Sequence, residues 1–235
     1  MSQEEPSATV AALAGFRGEA RCLRGLGVAI ACSGGSAERA RSEAQRLLGQ
    51  GAAALVSFGL AGGLAPGLRT GDLLLPDTVR SEGFGSWPVD PVWRERVHAR
   101  LAAGGLQPQA GTIAGSDRIL ATAGDKRALF EATGALAVDM ESHAVAAVAT
   151  DAGIPFLVLR ALADPFDQTV PQVAREALRP DGAIRIRATF GGLLRQPGQL
   201  IELARLARQS ALALAALRRG ARFAGPRLGF TPYGE

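Results

Sequence analysis

The chain has 235 residues, of which 47% are hydrophobic and 20% are charged, and its net charge is +4. This length and composition predict a globular protein of one domain and exclude a globally disordered chain. The acidic start lacks the basic region of a secretory signal, and no apolar run approaches the ~18 residues of a membrane span. Two cysteines are too few for a disulfide framework. We therefore expect a cytoplasmic protein.

Apolar runs alternate with helix signals along the chain. The strand candidates are residues 8–14, 27–32, 53–58, 72–75, 112–114, 136–138 and 155–159, and the helix candidates are 36–49, 90–103, 141–152 and 199–219. Ser36 and Gly49 are suited to begin and end the first helix, and Asp90 followed by Pro91 is suited to begin the second. This alternation predicts an α/β fold with a central mixed, mostly parallel sheet flanked by helices on both faces.

The chain shows no internal repeat and predicts a single domain over residues 1–235. Its core is expected at 8–165, a candidate lid rich in Pro and Gly at 166–198, and a C-terminal helix at 199–220. Residues 175–235 carry eleven Arg and four acids, a net charge of +7, whereas residues 1–174 carry −3. Such a basic region is compatible with binding to an anionic membrane surface, with binding to nucleic acid, or with simple exposure to solvent. Its few aromatic residues disfavour recognition of single-stranded nucleic acid.

Two short motifs place carboxylates where a ligand would bind. Residues 138–141 read VDME and residues 160–164 read RALAD, so Glu141 falls at a strand-to-helix junction and Asp164 at the end of the next strand. Ligands of open α/β sheets bind at the carboxyl ends of strands. Two acids there suit a polyol substrate and a leaving group that must be protonated. The alternatives are a turn acid before Pro165 and a helix N-terminal acid at Glu141.

A third motif completes a resemblance. Residues 59–66 read GLAGGLAP and Gly71-Asp72 follows; this run lacks the spacing of a dinucleotide fingerprint and predicts a tight turn that lets the backbone approach a ligand. Together the three motifs resemble the nucleoside phosphorylase and nucleosidase family. The resemblance implies a nucleoside phosphorylase-like fold, a nucleoside substrate, no cofactor and at least a homodimer.

The family's functional residues carry over to matching positions. Asp164 matches the acid that protonates the leaving base. The resemblance assigns substrate binding to residues around the sugar and the base, namely Glu141, Met140, Gly62, Ala61, Ile119 and Leu120. Glu141 matches the carboxylate that holds the ribose hydroxyls, whereas Ile119 stands where the family often has a stacking aromatic residue.

The nucleophile stays open between water and phosphate. Glu19 matches the residue that positions water in hydrolytic members, and a carboxylate there would repel phosphate. However, residues 33–36 read SGGS at a helix start, and Ser33, Gly34, Gly35 and Arg39 form a candidate site for phosphate as co-substrate. No His, Cys and carboxylate cluster has metal-ligand spacing, so no metal is expected.

The C-terminal third resembles a narrower branch. Residues 178–182 read LRPDG and residues 193–200 read LLRQPGQL, and both resemble the hopanoid-associated phosphorylases. That branch implies release of adenine from adenosylhopane in bacteriohopanepolyol synthesis, with peripheral contact to the inner membrane through the basic region. One alternative is a methylthioadenosine/S-adenosylhomocysteine nucleosidase, and a second is a non-catalytic nucleoside-binding protein.

Overall fold

A computed structural model describes residues 9–81, 83, 85–169 and 197–232. Its strands are β1 (Thr9–Ala14), β2 (Val28–Cys32), β3 (Ala52–Gly63), β4 (Leu73–Leu74), β5 (Thr78–Ser81), β6 (Gly85–Pro88), β7 (Thr112–Gly115), β8 (Ala137–Asp139) and β9 (Phe156–Asp164). Its α-helices are α1 (Arg17–Ala20), α2 (Ala37–Gly49), α3 (Pro91–Ala103), α4 (Ala123–Thr133), α5 (Ser142–Asp151) and α6 (Pro197–Ala224). The same residues also include two short 3-10 helices, Arg21–Leu23 and Pro226–Gly229.

The strands form one mixed sheet with mostly parallel pairs, which confirms the predicted fold class. The order is β2-β1-β3-β8-β7-β5-β6, and β9 pairs with both β3 and β4. The long strand β3 runs parallel to β1 and β9 and then antiparallel to β8. At its end, Gly62 is the register partner of both Val138 on β8 and Asp164 on β9. The end of β3 therefore brings the VDME and RALAD motifs together.

Helices cover both faces of the sheet. On one face α2 and α5 bury small side chains such as Ala44 and Ala146 in a common core. On the other face α3 and α6 pack through Trp93 and Leu217. Trp93 is fully buried, and its indole Nε1 donates to the carbonyl of Leu228 at 2.8 Å, which satisfies its polar edge.

Several predicted boundaries were wrong for identifiable reasons. The glycine-rich run that predicts a turn instead continues strand β3 as far as Gly63. Glycines give no alternating pattern of apolar and polar side chains, but their backbone still pairs with β8 and β9. Strands β5 and β6 and helix α4 were not predicted. Helix α6 continues past Gly220, which is buried against Leu73, and reaches Ala224.

The candidate lid at 166–198 falls mostly outside the described residues. Residues 165–169 form a turn after β9, residues 170–196 are not described, and α6 begins at Pro197. Within the described ranges, no helix is long and apolar enough to cross a membrane.

Candidate active site

A pocket of about 530 Å³ lies where β3, β8 and β9 end. It is lined by every predicted site residue except Ser33, namely Asp164, Glu19, Glu141, Met140, Gly62, Ala61, Ile119, Leu120, Gly34, Gly35 and Arg39. The other lining residues are Phe16, Ser36, Leu60, Arg118, Lys126, Val138, Asp139 and Ala163. The fold thus collects residues from distant parts of the sequence around one cavity, although the role of each residue stays a prediction.

Glu141 is held at the start of α5 by the preceding aspartate. Asp139 Oδ1 accepts hydrogen bonds from the backbone N–H groups of Glu141 at 3.1 Å and Ser142 at 2.9 Å. This is the ordinary way in which an acid satisfies free N–H groups at a helix start. Because Asp139 does the capping, the Glu141 side chain remains available to the pocket. The prediction that Glu141 lies at a strand-to-helix junction is therefore confirmed. Glu141 is the N-cap residue of α5 but its side chain makes no capping hydrogen bond, so its alternative role as an acid favoured by the helix dipole stays a prediction.

Arg160 is the buried cation that organises this end of the sheet. Its Nη2 donates to Glu141 Oε2 at 3.2 Å and to Ser57 Oγ at 2.6 Å. Its Nε lies 2.8 Å from Asp139 Oδ2, and its Nη1 donates to the carbonyl of Leu60 at 3.3 Å. A guanidinium without exposed surface needs such partners to offset the loss of its hydration.

Glu19 lies at the same end of the sheet and is almost completely buried. Its Oε1 accepts from the backbone N–H of Leu60 at 2.9 Å, and its Oε2 accepts from that of Phe16 at 2.8 Å. Gly15 allows the two glutamates to approach, because a Cβ on Gly15 would lie 2.9 Å from Glu141 Oε1 and 3.1 Å from Glu19 Oε2. The two carboxylates therefore share one buried corner of the pocket.

This corner carries more negative than positive groups. Burial raises the pKa of Glu19, while Arg160 and the backbone N–H donors oppose the rise. Burial also raises the pKa of Glu141, to about 7; Arg160 opposes this rise and the charges of Asp139 and Glu19 add to it. Burial, with Asp139 and Glu19 opposing the effect of Arg160, thus holds the pKa of Glu141 at about 7.

Asp164 stands at the end of β9, as predicted, and pairs with a residue that the sequence did not single out. Lys126, on α4, is buried and its Nζ donates to Asp164 Oδ2. Burial raises the pKa of Asp164, and the Lys126 ammonium opposes that rise. A carboxyl group with only 14% of its side chain exposed can hold or release a proton in this setting.

The candidate phosphate site is only partly assembled as predicted. Gly34, Gly35 and Arg39 line the pocket. Ser33 does not line it, because its buried hydroxyl donates to Glu141 Oε1 at 3.3 Å. Ser36 caps α2 by accepting from the backbone N–H of Arg39 at 3.4 Å.

His143 lies apart from this pocket. It is buried, its Nε2 is 3.1 Å from Asp117 Oδ1, and it lines a neighbouring cavity. The part of the chain that the structure describes holds no group of three or more His, Cys, Asp or Glu side chains that is arranged for a metal ion.

The sequence analysis predicted no role in the site for three of its residues, namely Lys126, Asp139 and Arg160. Asp139 and Arg160 lie inside the two motifs, and a charge within an apolar strand is the signal that could have singled out Arg160. Lys126 lies on a helix that was not predicted, so its burial had no visible signal.

Comparisons with known proteins show the family of the chain. Residues 3–195 match the model of the phosphorylase superfamily. A 5'-methylthioadenosine/S-adenosylhomocysteine nucleosidase of Mycobacterium bovis is 31% identical over 175 residues, which span 55% of this chain and 69% of the relative. The nucleosidase of the same name from Mycobacterium tuberculosis matches to the same extent.

Solved structures share the fold. The 5'-methylthioadenosine/S-adenosylhomocysteine nucleosidase of Helicobacter pylori, in complex with butyl-thio-DADMe-Immucillin-A, superposes with a TM-score of 0.68 at 16% identity, covering 93% of this chain and 99% of the other. The futalosine hydrolase of the same organism gives a TM-score of 0.68 at 16% identity over 92% and 97%. With most of its length matched by the family model, and with relatives at this level of identity, the chain belongs to the phosphorylase superfamily.

Proposed function

We propose that this protein hydrolyses the N-glycosidic bond of 5'-substituted adenine nucleosides, with methylthioadenosine and S-adenosylhomocysteine as substrates. The observation that carries the proposal is the convergence of three carboxyl groups, those of the buried Glu19 and Glu141 and of the partly buried Asp164, on one pocket of about 530 Å³. Cleavage of a glycosidic bond by water requires an acid for the leaving group, a partner for the sugar and a base for the nucleophile. The three carboxyl groups supply one of each.

Different residues of the pocket are assigned to the sugar and to the base of the substrate. A carboxylate accepts two hydrogen bonds side by side, which matches the two neighbouring hydroxyls of a ribose, so we assign them to Glu141. Met140 then packs against the sugar, and Ile119 and Leu120 border the base. Asp164 donates its proton to the purine nitrogen as the bond to the anomeric carbon breaks, so the base leaves uncharged.

Water is the nucleophile that suits the buried corner best. The water oxygen bonds to the anomeric carbon while Glu19 accepts the water proton. A phosphate dianion in this corner would face Glu19 and Glu141, and Arg160 already pairs with Glu141. The Ser33 hydroxyl also donates to Glu141 and is not directed at an anion. These contacts support hydrolysis over phosphorolysis.

The choice of substrate follows the relatives. The mycobacterial relatives are nucleosidases for methylthioadenosine and S-adenosylhomocysteine, and this alternative is better supported than adenosylhopane. Residues 178–182, one of the two segments that suggested the hopanoid branch, lie outside the described residues. Adenosylhopane therefore serves as a comparison substrate and is not the substrate that we propose.

The test is release of adenine from methylthioadenosine, S-adenosylhomocysteine and adenosylhopane, each with and without phosphate. We expect release from the first two without phosphate, and incorporation of labelled oxygen from water into the sugar product. A strict need for phosphate, with a sugar 1-phosphate as product, would replace hydrolysis by phosphorolysis. Release from adenosylhopane alone would overturn the substrate assignment, and binding of all three without release would identify a non-catalytic binding protein.

A further inference from the structure

The Lys126 ammonium holds both the candidate acid and the turn that follows it. The side chain is 1% exposed, and its Nζ donates to Asp164 Oδ2, to the carbonyl of Pro165 at 2.8 Å and to the carbonyl of Gln168 at 3.0 Å. An ammonium has three N–H donors, so every donor has an acceptor. Gln168 in turn exchanges two side-chain hydrogen bonds with Gln209 of α6, at 2.9 and 2.7 Å. Lys126 therefore fixes the position of Asp164 relative to α4 and α6.

Other charged groups surround this pair without touching Asp164. Asp125 and Arg127 lie on α4, and Asp167 lies in the turn after β9. Glu202 and Arg205 of α6 lie beside that turn. On the pocket side they are Glu19, Arg39, Arg118, Asp139 and Glu141, with Arg160 behind them. Within the described chain, Lys126 is the charged residue that contacts Asp164. Its charge is therefore the local control on that carboxyl group.

We propose that Lys126 is a positioning residue that makes Asp164 a stronger acid and sets the upper pH limit of the reaction. This proposal rests on the proposed function. When Asp164 acts, its O–H bond breaks, the proton bonds to the purine nitrogen, and the electron pair of the O–H bond stays on the carboxylate. The ammonium stabilises that developing negative charge, which lowers the barrier to proton transfer.

The same charge has an opposite effect on the resting enzyme. An ammonium in contact favours the ionised carboxylate, so the fraction of Asp164 that still carries its proton falls at a lower pH. Lys126 thus makes each protonated Asp164 more reactive and reduces the number of protonated molecules at alkaline pH. A residue with a merely structural role would change the rate at every pH by the same factor.

The experiment compares pH profiles of kcat/KM for wild type, Lys126→Met, Lys126→Arg and Arg127→Met with methylthioadenosine. In Lys126→Met we expect the alkaline limb to move up by about 1–3 pH units, the usual effect of one contacting charge. We also expect the plateau at low pH to fall roughly tenfold, because a weaker acid transfers its proton less readily. The two profiles should therefore cross. Lys126→Arg should restore the wild-type limb, and Arg127→Met should not move it, because it removes an exposed charge from the same helix.

Parallel profiles of wild type and Lys126→Met, or a limb that moves equally in Arg127→Met, would overturn the proposal. If Lys126→Met does not fold, Lys126→Gln supplies a neutral side chain that can still donate to the carbonyls, and the same limb is measured. The infrared band of the Asp164 carboxyl group, identified by its loss in Asp164→Asn, gives a readout without turnover and should persist to higher pH in the neutral variant. Absence of hydrolysis in wild type would refute the proposed function, whereas hydrolysis with an unmoved limb would refute only the role of Lys126.

Discussion

Glu141→Gln should make the protein less sensitive to alkaline pH. Burial, with Asp139 and Glu19 nearby, raises the pKa of Glu141 from 4.5 to about 7 in the folded protein. A carboxyl group with a raised pKa binds its proton more tightly in the folded than in the unfolded state. Its contribution to the free energy of unfolding is fully present below pH 4.5 and is lost as the pH rises through about 7. Glutamine has the same shape and carries no charge, so it removes this loss.

The magnitude follows from the size of the pKa change. A rise of about 2.5 pH units corresponds to on the order of 3 kcal/mol at 1.36 kcal/mol per unit. Because Glu141 is 5% exposed, solvent screens this energy little. For a chain of this length, about 3 kcal/mol corresponds to a change of roughly 6–12 °C in Tm.

Chemical unfolding at acidic and at alkaline pH measures the effect. Between roughly pH 4.5 and pH 8 the wild type should lose about 3 kcal/mol more of its free energy of unfolding than Glu141→Gln does. Glu19 and Asp164 also have raised pKa values, so both proteins should still lose some stability as the pH rises. An equal loss of the free energy of unfolding in the two proteins would refute the view that burial and neighbouring charges destabilise the Glu141 carboxylate.

Three further outcomes are expected from single substitutions. Asp164→Asn should reduce kcat by about 10²–10⁴ while nucleoside binding, measured by calorimetry, persists; equal losses of both would make Asp164 structural. Glu19→Gln should lose hydrolysis to a similar extent with little change in Kd for a ribosyl inhibitor, and retained hydrolysis would move the water to another residue. Gly59→Ala should lower both Tm and activity, because its Cβ would lie 2.5 Å from Arg160 Nη1 and 2.9 Å from Glu19 Cδ. Gly49→Ala is its control, since no described atom lies within 4 Å of that added Cβ, and comparable losses in the two alanine variants would contradict this reasoning.

The sequence predicts much of the fold because its signals are local. Ser36 and Asp90 cap the helices that they were expected to begin, since a side-chain oxygen next to free N–H groups is sufficient for a cap. The continuous apolar runs of β1, β3 and β9 likewise identify strands buried on both faces. Helix α4 was not predicted although its sequence carries local signals, a capping box of Thr122 and Asp125 at its start and Gly134 in the left-handed conformation at its end. The burial of Lys126 depends on partners from β9 and from the turn that follows it, which lie far away in the sequence.

The candidate site was predicted in composition but not in its electrostatic arrangement. Glu19, Glu141 and Asp164 were named from motifs, and the end of β3 brings the last two motifs together. The close approach of Glu19 to Glu141 depends on the absence of a side chain at Gly15, which sequence patterns do not reveal. The pairing of Arg160 and Lys126 with particular carboxylates depends on strand register, which follows only from the folded sheet.

On the proposed function, the imbalance of charge in the buried corner has a catalytic purpose. As the glycosidic bond breaks, the sugar acquires positive charge in an oxocarbenium-like transition state. Glu19 and Glu141 place negative charge beside that sugar. The single positive charge of Arg160 does not neutralise these two carboxylates and that of Asp139 together. A carboxylate that is destabilised in the empty pocket is stabilised by a cationic sugar, so the unfavourable energy that raises the pKa of Glu141 becomes differential binding of the transition state. Replacing Glu141 by glutamine would therefore stabilise the fold at alkaline pH and weaken catalysis, the trade-off expected where an active site stores electrostatic strain.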